Sequence, residues 1–106
     1  MINVHEISHY LILEATDQYS LSEVISKLKT HLEGKNDLVS LIVDIRQSTS
    51  SPSHDEIQEL GEYFKSIESQ LSGGVYITGD ELRYGLSNIA LSYAGTPNQF
   101  QRVKIG

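Results

Sequence analysis

The segment that most constrains this chain is the octet at residues 38–45, where Leu38, Val39, Leu41, Ile42, Val43 and Ile45 are interrupted only by Ser40 and Asp44. A run this short, apolar and rich in β-branched residues reads as a strand rather than a helix, and its near-continuity predicts a strand covered on both faces. At 106 residues the chain has room for one domain built around one core. The octet is therefore expected at the centre of the protein, with the other elements arranged around it.

Helices are announced by their caps. Ser20 precedes Leu21 and is followed three positions on by Glu23, a capping box in which each residue's side chain meets the other's backbone N–H. Leu21, Val24, Ile25, Leu28 and Leu32 then recur at helical spacing, and Gly34 suits a left-handed close. Ser53 and Glu56 repeat the box ahead of Ile57, Leu60, Phe64, Ile67 and Leu71, which predicts a second helix. Asp55, Glu56 and Glu59 crowd its start, where the helix dipole favours negative charge. Asp80 is placed to cap a third helix with apolar positions Leu82, Leu86, Ile89, Ala90 and Tyr93, closed by Gly95. Gly85 inside it costs about 1 kcal/mol relative to Ala, a cost that close packing on a neighbouring helix would offset.

Strands fill the intervals. Residues 75–78 follow Gly73 and Gly74 and read as a neighbour of the octet. Residues 10–14 form another strand, and residues 3–7 pair with it as a hairpin. At the other end Gln101, Val103 and Ile105 alternate with Phe100, Arg102 and Lys104, the pattern of an edge strand guarded by cations. The predicted order is β-β-α-β-α-β-α-β. Alternation of this kind implies an α/β fold with a mixed, mostly parallel sheet of four or five strands and three helices, joined by right-handed crossovers.

Composition limits the function. The chain carries 14 acidic and 8 basic residues, a net charge of −6, and the cations are dispersed along it. Phosphate neutralisation needs clustered cations, so nucleic acid and anionic membrane surfaces are disfavoured as partners. There is no cysteine, which removes disulfides, thiolate metal sites and thiol nucleophiles. No segment has the length and apolarity of a signal peptide or a membrane span. A cytoplasmic protein without cofactor or catalytic residues is the expectation.

Two patterns imitate active sites. His5, Glu6 and His9 match H-E-x-x-H, a metal motif that needs both imidazoles one turn apart on a helix. In an extended chain, residues four apart lie roughly 13 Å apart, and the surrounding sequence is β-like, so a solvent-facing hairpin is expected instead. Asp44, Thr78 and Lys104, each at or near a strand end, resemble the phosphoacceptor surroundings of bacterial receiver domains. The acidic pair that would hold Mg²⁺ there is missing, since Glu14 and Asp17 are not adjacent. The loop at residues 46–53 has no glycine to cradle a phosphate, and Asp55 and Glu56 oppose an anion at the helix start that follows it.

Residues 41–95 resemble the STAS family, the anti-sigma-factor-antagonist fold, and within it the bacterial branch that also resembles CRAL-TRIO lipid-binding domains. The likeness is carried by Ile42, Val43, Asp44, Ile45 and Arg46, by Pro52 and Ser53 opening an acidic helix through Glu56, Ile57 and Leu60, and by the run from Gly79 to Leu86. It implies a non-enzymatic regulatory module that binds a protein partner, with a small-ligand or lipid carrier as the alternative and a receiver-like phosphoacceptor after that. Many family members are switched by phosphorylation of a Ser or Thr at the start of the helix after the central strand. Only Ser53 falls near that position here, with Pro52, Ser53, His54 and Asp55 standing where the family carries an Asp-Ser-Ser-Gly signature. As open α/β sheets present their sites at the carboxyl ends of the strands, the candidate partner surface joins Asp44, Arg46, Ser48, Thr49, Ser51, Ser53, Thr78 and Asp80 with the exposed face of the second helix. Relatives usually add a helix after the last strand, whereas this sequence stops at Gly106. An uncovered sheet face or edge, and with it a homodimer or another partner, is the corresponding expectation.

Overall fold

The computed structural model describes residues 1–94 and 100–105, and all its strands join one five-stranded sheet. In chain order the elements are β1 (Ile2–Ile7), β2 (Tyr10–Ala15), α1 (Leu21–Leu32), β3 (Val39–Asp44), α2 (His54–Ser66), a 3₁₀ turn (Glu68–Gln70), β4 (Leu71–Thr78), α3 (Glu81–Ala94) and β5 (Phe100–Lys104). The sheet order is β1-β2-β3-β4-β5, which makes the apolar octet the middle strand. β1 and β2 form the antiparallel hairpin, turning through Ser8 at φ 55°, and every other pairing is parallel. The predicted element order and sheet class hold.

Both capping boxes form. Ser20 accepts from the backbone N–H of Glu23, and Ser53 from that of Glu56, while each Glu side chain reaches back to its cap residue. Glu33 ends α1 in an extended conformation, and Gly34 takes φ 78° in the turn that follows, where the N–H of Lys35 donates to the carbonyl of Leu32 at 3.2 Å.

The strand order determines where the helices go. A right-handed crossover between adjacent parallel strands sets its helix on one particular face. Three such steps in the same direction, β2 to β3 to β4 to β5, put α1, α2 and α3 side by side on that face. Burial follows: Leu11, Leu13 and Ala15 of β2, Val39, Leu41 and Val43 of β3, Tyr76 and Thr78 of β4 and Phe100 of β5 are buried toward the helices. Phe64 of α2 stacks against Phe100 at 5.2 Å between ring centroids and meets Tyr76 edge-on at 6.4 Å. The alternate positions Ile12, Ile42, Val75 and Ile77 face outward and are only half-buried. The octet is thus covered on one face among the described residues, not on two as its apolar run predicts.

Three further expectations change. α2 stops at Ser66, and Leu71 opens β4 instead of closing the helix. Its apolar character serves strand burial opposite Val39, ahead of an irregularity in the pairing there. On α3 the buried residues are Ser87, Ala90 and Leu91, whereas Leu82 and Ile89 are 56% and 42% exposed. The close of α3 at Gly95 lies outside the described residues. The tight helix contact falls at Gly61 of α2, not at Gly85: a Cβ on Gly61 would sit 2.6 Å from Cβ of Tyr93 and press on the carbonyl of Ala90, while a Cβ on Gly85 would meet nothing within 4 Å.

These two glycines therefore respond oppositely to the same substitution. Gly61→Ala should lower stability by about 1–3 kcal/mol through overpacking. Gly85→Ala should raise it by roughly 0.5–1 kcal/mol through helix propensity. Urea unfolding of both variants against the parent checks the pair, and an equal response would contradict the packing described.

Candidate functional site

Because β2 to β5 run parallel, their carboxyl ends share one rim, and the loops that leave them lie side by side. The loop after β2 and the loop after β3 are laced by backbone bonds: the N–H of Asp17 donates to the carbonyl of Gln47 at 3.0 Å, and that of Thr49 to the carbonyl of Asp17 at 2.9 Å. Asp17 adopts φ 57° to do this, a left-handed conformation for which Asp is among the better tolerated residues. Asp17 and Ser48 form an isolated parallel bridge that continues the sheet past its strands.

Ser50 locks the two loops. Its hydroxyl accepts from the N–H of Tyr19 at 2.6 Å and lies 3.0 Å from the carbonyl of Tyr19, while its own N–H donates to Oγ of Ser48 at 3.1 Å. Ser48 and Ser50 are buried, and Thr49 and Ser51 point to solvent. The Ser/Thr-rich segment is therefore an ordered double layer of hydroxyls, with its inner members used structurally. Gln18, Tyr19, Thr49, Ser50, Ser51 and Pro52 line an open groove of about 300 Å³ along the seam.

Asp44 sits at the end of β3 on the sheet face away from the helices, in register with Glu14 and Ile77. Arg46 folds back onto it with two side-chain bonds, Nε to Oδ1 at 3.0 Å and Nη2 to Oδ2 at 2.7 Å, and the backbone N–H of Arg46 adds a third. This grip holds the Asp44 carboxyl below the usual carboxylate range. Arg46 also feels Glu14, whose own partner is His5 at 3.3 Å. Two like charges side by side across strands thus each have a partner, the Arg46 guanidinium for Asp44 and the His5 imidazole for Glu14.

Thr78 lies on the opposite face. It is fully buried, and its hydroxyl donates to the carbonyl of Val103. Lys104, the cross-strand partner of Thr78, forms an ion pair with Glu81 at the start of α3. A strand's side chains alternate between faces, and the register puts Ile77, not Thr78, beside Asp44. The receiver-like trio of Asp44, Thr78 and Lys104 consequently does not converge, and Thr78 offers no surface to a partner.

Ser53 and Asp80 are both helix caps. The Ser53 hydroxyl is engaged with Glu56 from both sides, as acceptor from its N–H and as donor to its carboxylate at 3.2 Å. Oδ1 of Asp80 accepts from the N–H of Arg83 at 2.9 Å, and Oδ2 takes the Arg83 guanidinium at 2.9 Å. Nε of Arg83 is buried without a hydrogen-bond partner among the described residues. Arg83 lines, with Tyr19, Ser50, Pro52, Tyr76 and Ser87, a cavity of about 20 Å³ under the rim, the size of one water molecule. Burial raises the phenol of Tyr19, with Ser48 and Arg83 acting against that rise, and drives the phenol of Tyr76 up further. A small-molecule site typically needs about 300–1,000 Å³. The larger depressions lined by described residues include surface grooves of about 300 to 390 Å³.

His5 lies in β1 and His9 in the hairpin turn, so the H-E-x-x-H letters fall on extended backbone rather than a helix. Glu6 is turned to other work: it pairs with His31 at 3.2 Å and with Lys35, tying the hairpin to the end of α1. Among the described residues no group of three His, Asp or Glu side chains is arranged to hold a metal ion.

Of the residues proposed from sequence, Arg46, Thr49, Ser51 and Ser53 are exposed, Asp44 and Asp80 are half-buried, and Ser48 and Thr78 are buried. The residues that sequence reasoning missed are Asp17, Tyr19, Ser50 and Arg83, which assemble the rim from two or three distant loops. The run of hydroxyls was visible, but which of them turned inward depends on the partner loop.

Ser50→Ala should cost about 1–3 kcal/mol, since it strands the Tyr19 N–H, whereas Thr49→Ala and Ser51→Ala should stay within about 0.5 kcal/mol. Chemical denaturation separates the two outcomes. For Asp44, the folded pKa lies below the unfolded value of about 3.9, so its contribution is complete above that value and fades as pH falls through the folded pKa. Arg46→Met should lower the urea midpoint at pH 7, and the gap to the parent should narrow as the pH drops below about 4. In the variant the Asp44 carboxyl should titrate at higher pH by NMR.

No family model and no curated protein matches this sequence. Among solved structures, the chain is similar to a protein from Shewanella loihica PV-4, described as an uncharacterized member of the DUF3478 family with a SpoIIAA-like fold. The two share 17% identity at a TM-score of 0.62, over 96% of this chain and 83% of that one. With β1 antiparallel at one edge, four parallel strands in consecutive order and three helices on one face, the chain has the SpoIIAA-like, or STAS-like, α/β fold.

Proposed function

We propose that this chain is a non-enzymatic regulatory module that docks a protein partner at the rim formed by the loops after β2 and β3 and the outer face of α2. The observation that carries the reading is the seam centred on Ser50. A binding surface made of loops loses affinity to the entropy of ordering them, and here that ordering is done in advance by the bonds among Asp17, Tyr19, Gln47, Ser48, Thr49 and Ser50. What remains outward is Arg46, Thr49 and Ser51 beside the exposed carboxylates Asp55, Glu59 and Glu62 of α2. With a net charge of −6, that surface suits a partner presenting cations, and attraction of this kind mainly quickens encounter.

Within this reading Ser53 is a helix cap rather than a switch. A phosphoryl group there would gain from the helix dipole but would displace Glu56 and face Asp55 and Glu59, three carboxylates within the first two turns. The STAS-like fold supports a binding module in general, and a cytoplasmic setting is part of the same proposal.

The test is site-specific photo-cross-linking in cell extract. A photoreactive residue at Thr49 or Glu59 should capture one and the same protein, and the same probe at Lys27 on α1 should not. Binding of that protein should weaken as ionic strength rises. Equal capture from all three positions, or from none, would count against the rim.

A further inference from the structure

The face of the sheet turned away from the helices has no cover among the described residues. Register places three rows across it: Asn3, Glu14, Asp44, Ile77 and Val103 toward the rim; His5, Ile12, Ile42, Val75 and Gln101 in the middle; and Ile7, Tyr10 and Ser40 toward the far end. Beside the last row, Ser40 and Ser72 share a hydrogen bond of 2.8 Å between their hydroxyls. Ile7 is 59% exposed, Tyr10 50% and Val103 36%. They surround the half-buried Ile12, Ile42, Val75 and Ile77. The centre of the face is Ile12, Ile42 and Val75, with His5 and Gln101 at its two edges. The carboxylates lie at one end, where Asp44 meets Arg46 and Glu14 meets His5 of the middle row, and the opposite end carries hydroxyls.

We propose that this face is the contact surface of a homodimer, in which two copies pack sheet against sheet about a two-fold axis lying in the interface and running across the strands. That axis sets β3 antiparallel over β3. It brings the carboxylate row of each copy, Glu14 and Asp44, over the Tyr10, Ser40 and Ser72 hydroxyls of the other, so acceptors meet donors. The alternative in-plane axis, along the strands, would stack Asp44 on Asp44, a like-charge pair that leaving water makes worse. Sheets face to face sit about 10 Å apart with inner side chains interdigitated, and Ile12, Ile42 and Val75 provide that layer. Five strands at about 4.8 Å spacing and five or six residues at about 3.3 Å rise cover roughly 24 by 18 Å. The face therefore offers roughly 860 Å² for both copies together, the scale of weak, transient contacts. The dimer is accordingly weak and populated at high concentration. The two rims then point in opposite directions, giving a bivalent module. The dimer does not depend on the rim's proposed role, because the two surfaces share only the Asp44–Arg46 corner.

Sedimentation equilibrium of the full chain from 5 µM to 1 mM tests it. The parent should pass from monomer to dimer, and since each copy carries net negative charge the association should tighten with added salt. That is the reverse of the salt response expected at the rim. The double variant Ile12→Thr/Ile42→Thr keeps β-branched residues in both strands and should weaken the dimer at least tenfold with unchanged circular dichroism. Should that variant fail to fold, Val103→Gln on the edge strand should weaken the dimer at least threefold. A parent that stays monomeric to 1 mM overturns the proposal. So does a dimer indifferent to these substitutions, one that salt dissolves, or a face that proves to bind vesicles or a different protein in place of a second copy.

Discussion

The handedness of three successive crossovers governs most of this molecule. Each parallel connection in the sheet turns the same way, and the strands follow one another without a reversal in order, so the helices have only one face available. The core is consequently the layer between that face and α1, α2 and α3, where Leu11, Leu13, Leu41, Val43, Phe64 and Phe100 are buried. A doubly wound sheet would place its site where the order reverses. With no reversal here, the only feature that the strand ends share is their common rim.

At that rim the polar groups are committed to one another. Asp44 is held by Arg46, Asp80 by Arg83, Ser53 by Glu56, and Ser50 by the Tyr19 backbone. The carboxyls of Asp44 and Asp80 are stabilised as anions by direct bonds, and the inner hydroxyls hold loops together. In the proposed docking role, this arrangement supplies a fixed shape and a fixed surface charge. The uncovered sheet face differs in character, with Ile12, Ile42 and Val75 at its centre and polar groups toward its two ends.

How far this could be read in advance varied with the range of the interaction involved. The capping boxes at Ser20/Glu23 and Ser53/Glu56 are local, spanning three residues, and both helices begin where their sequences place them. The hairpin of β1 and β2 and the parallel class of the remaining sheet were equally accessible. Periodicity failed where one apolar residue fits two elements. Leu71 continues the spacing of α2 and also suits the first residue of β4, and the strand pairing with Val39 decided it. Leu82 and Ile89 fit a helical stripe yet stand exposed. Gly85 was the conspicuous glycine, but Gly61 is the one pressed against another helix. In the candidate site, Arg46, Thr49 and Ser51 were legible as exposed polar loop residues. Thr78 was not legible as a buried one, because its face is set by a register that no single strand encodes.

By itself the sequence determined the kinds of element, their order and the class of sheet, since caps, periodicity and crossover length all act within a few residues or one connection. Only the tertiary structure decided which face of the sheet is covered, which of the loop hydroxyls turn inward, and that Asp44 and Thr78 look in opposite directions. Those outcomes depend on strand order and register, which are relations between segments tens of residues apart, and on hydrogen bonds between loops that meet only after the sheet has formed.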